Sequence, residues 1–167
     1  GLETLPYLSH PIPGIVIGLS LVFFSLAVLP PLYQTTAVLV FAYAVLFMPK
    51  ALGTARASIN AVSPTLVNVA RTLGAKPVSA WARVTLPLAL PGLGIGALLV
   101  AIATMKELPA TLLLRPTGVN TLATELWSRT SAGEFGAAAP YAALLVVVAA
   151  IPAMILSGVR SSAKEEL

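Results

Sequence analysis

The sequence predicts an all-α integral membrane domain, with about four transmembrane helices and a cytoplasmic helix–turn–helix between the second and the third. Three observations carry this. Of 167 residues, 57% are apolar and only 10% charged, at a mean hydropathy of +0.93, whereas soluble domains carry about 25% charged residues. A soluble fold of this length cannot hide so much apolar surface, because burial is limited by surface-to-volume scaling. The basic residues also flank apolar runs and form no single solvated face, so the net charge of +4 does not point to nucleic acid.

A spanning helix takes about 20 mainly apolar residues, and four segments of one domain (1–167) approach that length. The first runs over 13–29, is uncharged, and ends at Pro30-Pro31. The second runs over 33–48, also uncharged, and is expected to close at Pro49-Lys50. The third covers 86–105 and the fourth 137–159. Gly14 with Gly18, and Gly92 with Gly96, form GxxxG pairs, a spacing that lets helices approach closely in lipid. Pro87, Pro91, Pro140 and Pro152 lie in or near spans and predict bent helices packed around something. No charge lies in the centre of any span, which argues that energy coupling happens elsewhere than through intramembrane ionisable groups.

The connections set the expected orientation. Segment 50–85 holds Lys50, Arg56, Arg71, Lys76 and Arg83 and no acid; Arg160 and Lys164 follow the fourth span. Positive short loops stay cytoplasmic, so these two regions, and the N-terminal segment through His10, are expected inside. Segment 106–136 mixes Lys106, Arg115 and Arg129 with Glu107, Glu125 and Glu134 and is expected outside. The chain begins with Gly1, shows no signal peptide, and is expected to be a C-terminal piece of a longer protein ending in the polar tail SSAKEEL.

Within segment 50–85, Ser63-Pro64 is a helix start, with Ser63 placed to cap free N–H groups and Pro64 at the first helical position. Leu66, Val69, Ala70 and Leu73 follow as one apolar stripe, opposite Thr65, Asn68, Arg71 and Thr72. Gly74 stands where a left-handed cap belongs. Lys76-Pro77 opens a second short helix that carries Trp81, runs to about Val84 and ends before Pro87. Two readings fit: an amphipathic pair in the headgroup layer, with Trp81 as interfacial anchor, or a docking element for a soluble partner.

The frame Ala70, three residues, Gly74, nine residues, Val84-Thr85-Leu86-Pro87 resembles the EAA loop of inner-membrane permease subunits of binding-protein-dependent ABC transporters. That pattern reads Glu-Ala-Ala, three residues, Gly, nine residues, Ile-x-Leu-Pro. Asn68 stands where the family often has Glu, and Val69 where it has Ala. The resemblance covers essentially the whole chain, and MKELPATLLLRPTGVNTLATELW looks like ferric-iron permeases. It implies part of a six-helix permease half in a multi-pass bacterial inner-membrane protein. It further implies that Asn68, Ala70, Arg71, Gly74, Ala75, Lys76, Pro77, Trp81, Leu86 and Pro87 couple to a cytoplasmic ABC ATPase dimer. ATP and magnesium would bind that partner, with no cofactor in this chain. A second permease half and an extracytoplasmic substrate-binding protein are the other implied partners.

In the outer segment, LPATLLL is too apolar for a solvated loop and is expected to dip back toward the pathway, where its backbone is buried in protein or lines a cavity. Arg115-Pro116-Thr117-Gly118 reads as a turn and 121–129 as a short helix with Leu122, Leu126 and Trp127 on its apolar side. The resemblance implies that Glu107, Leu108, Pro109, Arg115 and Pro116 form a periplasmic gate or contact the binding protein; structural charges, solvated or paired, are the competing reading. Glu107, Glu125, Glu134, the scattered Tyr7, Tyr33, Tyr43 and Tyr141, and lone His10 make no cluster of oxygen ligands for a hard cation. No cysteine is present, and there is no GxxxxGK[ST] loop or Ser/His/Asp set, so no metal site, catalytic site or ATP hydrolysis is expected. The function expected is an ABC-importer permease, for ferric iron or for another solute such as thiamine, sulfate or a polyamine. A non-transport membrane interaction protein is the alternative from another class.

Overall fold

Helices make up every regular element in a computed structural model that describes residues 14–165. The N-terminal stretch with Tyr7 and His10, and the last two residues of the tail, lie outside the described residues. Helix α1 (Gly14–Val28) stops at Leu29, because the residue before a proline is pushed out of the helical region. One 3-10 turn (Pro30–Leu32) follows. Thr35 then donates its hydroxyl to the Leu32 carbonyl at 2.7 Å and receives the Val38 N–H at 3.5 Å.

Helix α2 (Thr36–Asn60) corrects the expected close of the second span, because it runs straight through Pro49 and Lys50. A proline removes one N–H and frees one carbonyl, a local loss that an apolar helix in a membrane setting tolerates where neighbouring groups or small backbone adjustments take it up. Twenty-five residues at about 1.5 Å each exceed the ~30 Å hydrocarbon core, so Lys50 and Arg56 sit on a helical extension of an apolar rod. After α3 (Pro64–Thr72), the second short helix does not end before Pro87. It continues as α4 (Pro77–Met105), with a π-helical segment over Trp81–Thr85. The Leu86 N–H reaches back to the Trp81 carbonyl. That wide turn immediately precedes Pro87, whose ring would meet the carbonyl four residues earlier in a regular α-helix.

Helix α5 (Pro109–Leu114) and helix α6 (Leu122–Ser131) occupy the outer segment. Thr121 caps α6 reciprocally, receiving the Thr124 N–H at 3.2 Å while Thr124 Oγ1 receives the Thr121 N–H at 2.8 Å. Helix α7 (Phe135–Glu165) contains the whole fourth apolar run and extends beyond it at both ends.

Two compact units are present: Met48–Val100, and a second built from the chain on either side of it. In the first, α4 meets the end of α2 through its glycines. A Cβ on Gly92 would stand 2.6 Å from Ser58 Oγ, and one on Gly96 would stand 2.6 Å from Thr54 Oγ1. Both hydroxyls are already bonded to carbonyls of α2, so the contact is tight but leaves no stray donor. In the second unit, Val38, Leu39, Ala42 and Leu114 form the core, flanked by Leu21, Val22, Tyr43 and Leu113. Here Gly18 faces α5, admitting Ala110 Cα 3.1 Å from where its Cβ would be, while Gly14 faces the Glu107 carboxylate and Leu46 of α2.

Among the described residues, two helices, Thr36–Asn60 and Pro77–Met105, are long and apolar enough to cross a membrane, and 17% of each apolar window is buried. A soluble core helix would be mostly buried, so these helices leave apolar surface for lipid or another protein surface to cover. Gly14–Val28 and the Phe135–Ile151 part of α7 are shorter apolar stretches, with Phe23 and Val146 strongly exposed.

Candidate functional site

The segment from Pro64 to Pro87 folds as a helix, a glycine turn and a second helix that becomes α4. Ser63 occupies the N-cap position and Pro64 the first helical position, but the Ser63 side chain makes no capping bond; only its carbonyl is used, by the Leu66 N–H at 3.2 Å. Gly74 has φ +89°. The Ala75 N–H bonds the Ala70 carbonyl at 3.0 Å and the Gly74 N–H bonds the Arg71 carbonyl at 3.0 Å, a Schellman turn that uses the last free carbonyls of α3. Lys76 is the N-cap residue of α4, extended, with Pro77 after it. The turn folds α3 back against the first turns of α4, where Ala80 is buried.

The apolar stripe is bare. Leu73 is 83% exposed and Val78 80%; Leu66, Val69 and Trp81 are about half exposed. Asn68, Arg71, Lys76 and Arg83 are exposed around it, and none of the three cations has an ion pair among the described residues. Ala70, Ala75 and Leu86 are half-buried and shape the turn, while Pro87 is exposed. The arrangement is an apolar ridge with a basic rim, joined through the Gly74 turn to a long apolar helix.

The outer candidates separate into two groups. Glu107 sits just before α5, and its carboxylate takes the Ala110 N–H at 3.0 Å and the Thr111 N–H at 2.9 Å. Thr111 Oγ1 lies 2.7 Å from Glu107 Oε2 and 2.6 Å from the Tyr43 hydroxyl. A threonine hydroxyl has one proton. With that proton directed to Glu107, Tyr43 is the donor to Thr111, giving a relay from α2 through α5 to Glu107. Leu108 and Pro109 form the first turn of α5, and Ala110, Thr111 and Leu114 are fully buried. A Glu107→Ala change strips the acceptor from two backbone N–H groups inside the protein, so we expect a loss of about 2–4 kcal/mol. Thermal unfolding of the detergent-solubilised protein measures it, with Glu107→Gln losing less.

Arg115 and Pro116 belong to the turn at Gly118 (φ +83°). Arg115 donates to the Val119 carbonyl at 3.0 Å and to Asn120. Arg129 pairs with Glu134 at 2.9 Å and Glu125 at 3.6 Å, and its hydrogen bond to Glu134 is the first cause holding the guanidinium above its usual range. Among the described residues no three of His, Cys, Asp and Glu come together as metal ligands.

Reading the sequence for sites missed Tyr43, Thr111 and the partners of Gly14 and Gly18. One signal was available: an acid two positions before a proline that opens a helix, which places a carboxylate at free N–H groups.

Comparison with known proteins adds the family context. The model of the family described as binding-protein-dependent transport system inner membrane component matches residues 3–160. The chain is 43% identical, over 93% of its length, to the Fe(3+)-transport system permease protein FbpB 2 of Haemophilus influenzae. It is 32% identical over 95% of its length to the putative 2-aminoethylphosphonate transport system permease protein PhnV of Salmonella typhimurium. Half of it is 42% identical to the molybdenum transport system permease protein ModB of Mycobacterium tuberculosis. The chain spans 31% of the length of the first of these relatives and 58% of the second.

Proposed function

The chain belongs to the family of binding-protein-dependent transport system inner membrane components, and from that premise we propose that it is the coupling part of an ATP-driven importer's permease. In this reading α1, the apolar part of α2, the apolar part of α4 and the apolar run of α7 are four spans of a multi-pass protein in the bacterial inner membrane. Segment 50–85 faces the cytoplasm, where the ridge of Leu66, Val69, Leu73, Val78 and Trp81 docks on a separate ABC ATPase that binds ATP and magnesium. Segment 106–136 faces outward, toward a substrate-binding protein, and a second permease half completes the pathway. The observation that carries this is the exposed ridge that α3 and the first turns of α4 form around Gly74, with Val78 and Trp81 on the same helix, Pro77–Met105, as the span. In this reading a push on Val78 and Trp81 acts on that helix directly.

Ferric iron is the proposed solute, supported by the similarity to the iron permease over 93% of the chain. The phosphonate and molybdenum relatives make their solutes the competing ones. Uptake of radiolabelled ferric iron by membrane vesicles with the full set of subunits decides among them: saturable, ATP-dependent uptake supports iron, and its absence alongside phosphonate or molybdate uptake refutes it.

The Schellman turn gives a direct test of coupling. Gly74 holds a left-handed conformation that costs other residues about 1–2 kcal/mol. Gly74→Glu is expected to leave membrane insertion intact while abolishing ATPase association in a co-purification. Unchanged association would refute docking through this turn.

A further inference from the structure

We propose that Lys106 is an intramembrane cation that holds the transported solute, as an anion, in a groove against α7. By residue count Lys106 falls just outside the third apolar run, and nothing in its own segment marks it out. The fold places it beside the fourth. Its N–H bonds the Ile102 carbonyl at 3.3 Å, so it continues the last turn of α4. It lines an open groove of about 430 Å³ whose walls include Leu145, Val146, Ala149 and Ala150 of α7. Lys106 and these four residues belong to the same compact unit. The four lie around the middle of the fourth apolar run (137–159), about ten residues or ~15 Å from either end.

With that run spanning a hydrocarbon core of ~30 Å, the groove lies near the bilayer midplane. A headgroup phosphate is then about 15 Å away, beyond the reach of a lysine's four-carbon stem. A cation at this depth is costly unless water, a protein anion or a ligand meets it. Among the described residues Lys106 has no ion pair. The fourth run carries no charge, and the adjacent Glu107 carboxylate is engaged by the Ala110 and Thr111 N–H groups. One positive charge thus stands over apolar walls, where a low dielectric strengthens its field and focuses it on an anion. The room suits a small molecule, since small-ligand sites run to about 300–1,000 Å³. A bare ferric ion is repelled there and an anionic ferric chelate attracted, so the charge sets the form in which the solute crosses.

The solute's identity rests on the importer reading above; the anion preference of the groove does not, and the two are tested apart. Ala150 is on an exposed part of the groove wall. Ala150→Cys is made in the full-length protein, with any cysteines elsewhere replaced, and treated in membrane vesicles with a negatively or a positively charged methanethiosulfonate. Relative to their rates with a free thiol, the anionic reagent is expected to gain about tenfold over the cationic one, and Lys106→Gln is expected to erase that gain. An Ala150→Cys that neither reagent reaches overturns the proposal, since lipid or another span then fills the groove. A preference that survives Lys106→Gln overturns it as well. Uptake of radiolabelled ferric iron with the full set of subunits is the second arm. Lys106→Gln is expected to slow it about tenfold and Lys106→Glu further, with Lys106→Arg near the unmodified rate. Unslowed uptake in Lys106→Glu, or uptake as slow in Lys106→Arg as in Lys106→Gln, overturns the role of the charge in transport. No uptake from the unmodified protein counts against the iron reading, while the reagent rates still decide whether the groove attracts anions.

Discussion

A Leu73→Glu/Val78→Glu variant is expected to lose at least a hundredfold in affinity for the ATPase while keeping the thermal stability of the unmodified protein. Both side chains are more than three-quarters exposed, so nothing in the folded chain depends on them, and surface changes of this kind stay within about 0.5 kcal/mol. Docking is different. Each residue moves from water into a contact and contributes about 1.5–3 kcal/mol when fully covered. Losing both removes roughly 3–6 kcal/mol, and each decade of affinity is about 1.4 kcal/mol. A carboxylate in that contact adds an unpaired buried charge. Binding of the purified ATPase to the solubilised protein, read beside a melting curve, measures both halves of the expectation. A headgroup-layer role for the ridge would instead leave ATPase affinity unchanged and weaken association of the segment with anionic vesicles.

The second large effect is in the membrane. Gly96→Leu is expected to abolish folding of the protein, seen as loss of a monodisperse species in detergent. A Cβ at Gly96 would sit 2.6 Å from Thr54 Oγ1 and 2.8 Å from Thr54 Cβ. No rotation of Thr54 moves its own Cβ, so the helices must part. Even Gly96→Ala is expected to cost about 1–3 kcal/mol, the usual range for overpacking. Gly94, two residues away, has nothing within 4 Å of its Cβ position, and Gly94→Ala is expected to be neutral or slightly stabilising, because it restricts the unfolded chain. The pair separates a packing requirement from the general frequency of glycine in membrane helices.

Much of this architecture was legible in the residues because it depends on local chemistry. Pro64 and Gly74 bracket α3 by backbone preference alone, and Thr121 marks the start of α6 through its capping side chain. The basic segment and the apolar runs follow from composition. What was not legible depends on partners distant in sequence. Pro49 read as a stop because a proline's local cost is visible, whereas the apolar continuity that carries α2 past it is not. Pro87 read as a second stop, and the π-helical turn that accommodates its ring depends on the geometry of the preceding turn. Gly14 and Gly18 read as a close-approach pair, but their spacing does not say that six-residue α5 meets Gly18 while the Glu107 carboxylate and Leu46 meet Gly14. The Glu107–Thr111–Tyr43 relay joins positions 68 residues apart at its longest link, and no pattern within either segment announces it. Charges behaved in the same way: Arg129 with Glu125 and Glu134 are neighbours along the chain and pair with each other, while Glu107 was equally visible and its role was not.

The central claim is that the exposed ridge around Gly74 is the surface the ATPase holds. This chain has no cysteine, so a single Leu73→Cys in the full-length protein, with any cysteines elsewhere replaced, gives a clean reporter. Its reaction rate with a water-soluble maleimide is measured with and without saturating ATPase, beside Phe135→Cys as a control outside segment 50–85. The account predicts at least tenfold protection at Leu73→Cys and none at Phe135→Cys. Undiminished labelling of Leu73→Cys in a complex shown to contain bound ATPase would contradict it.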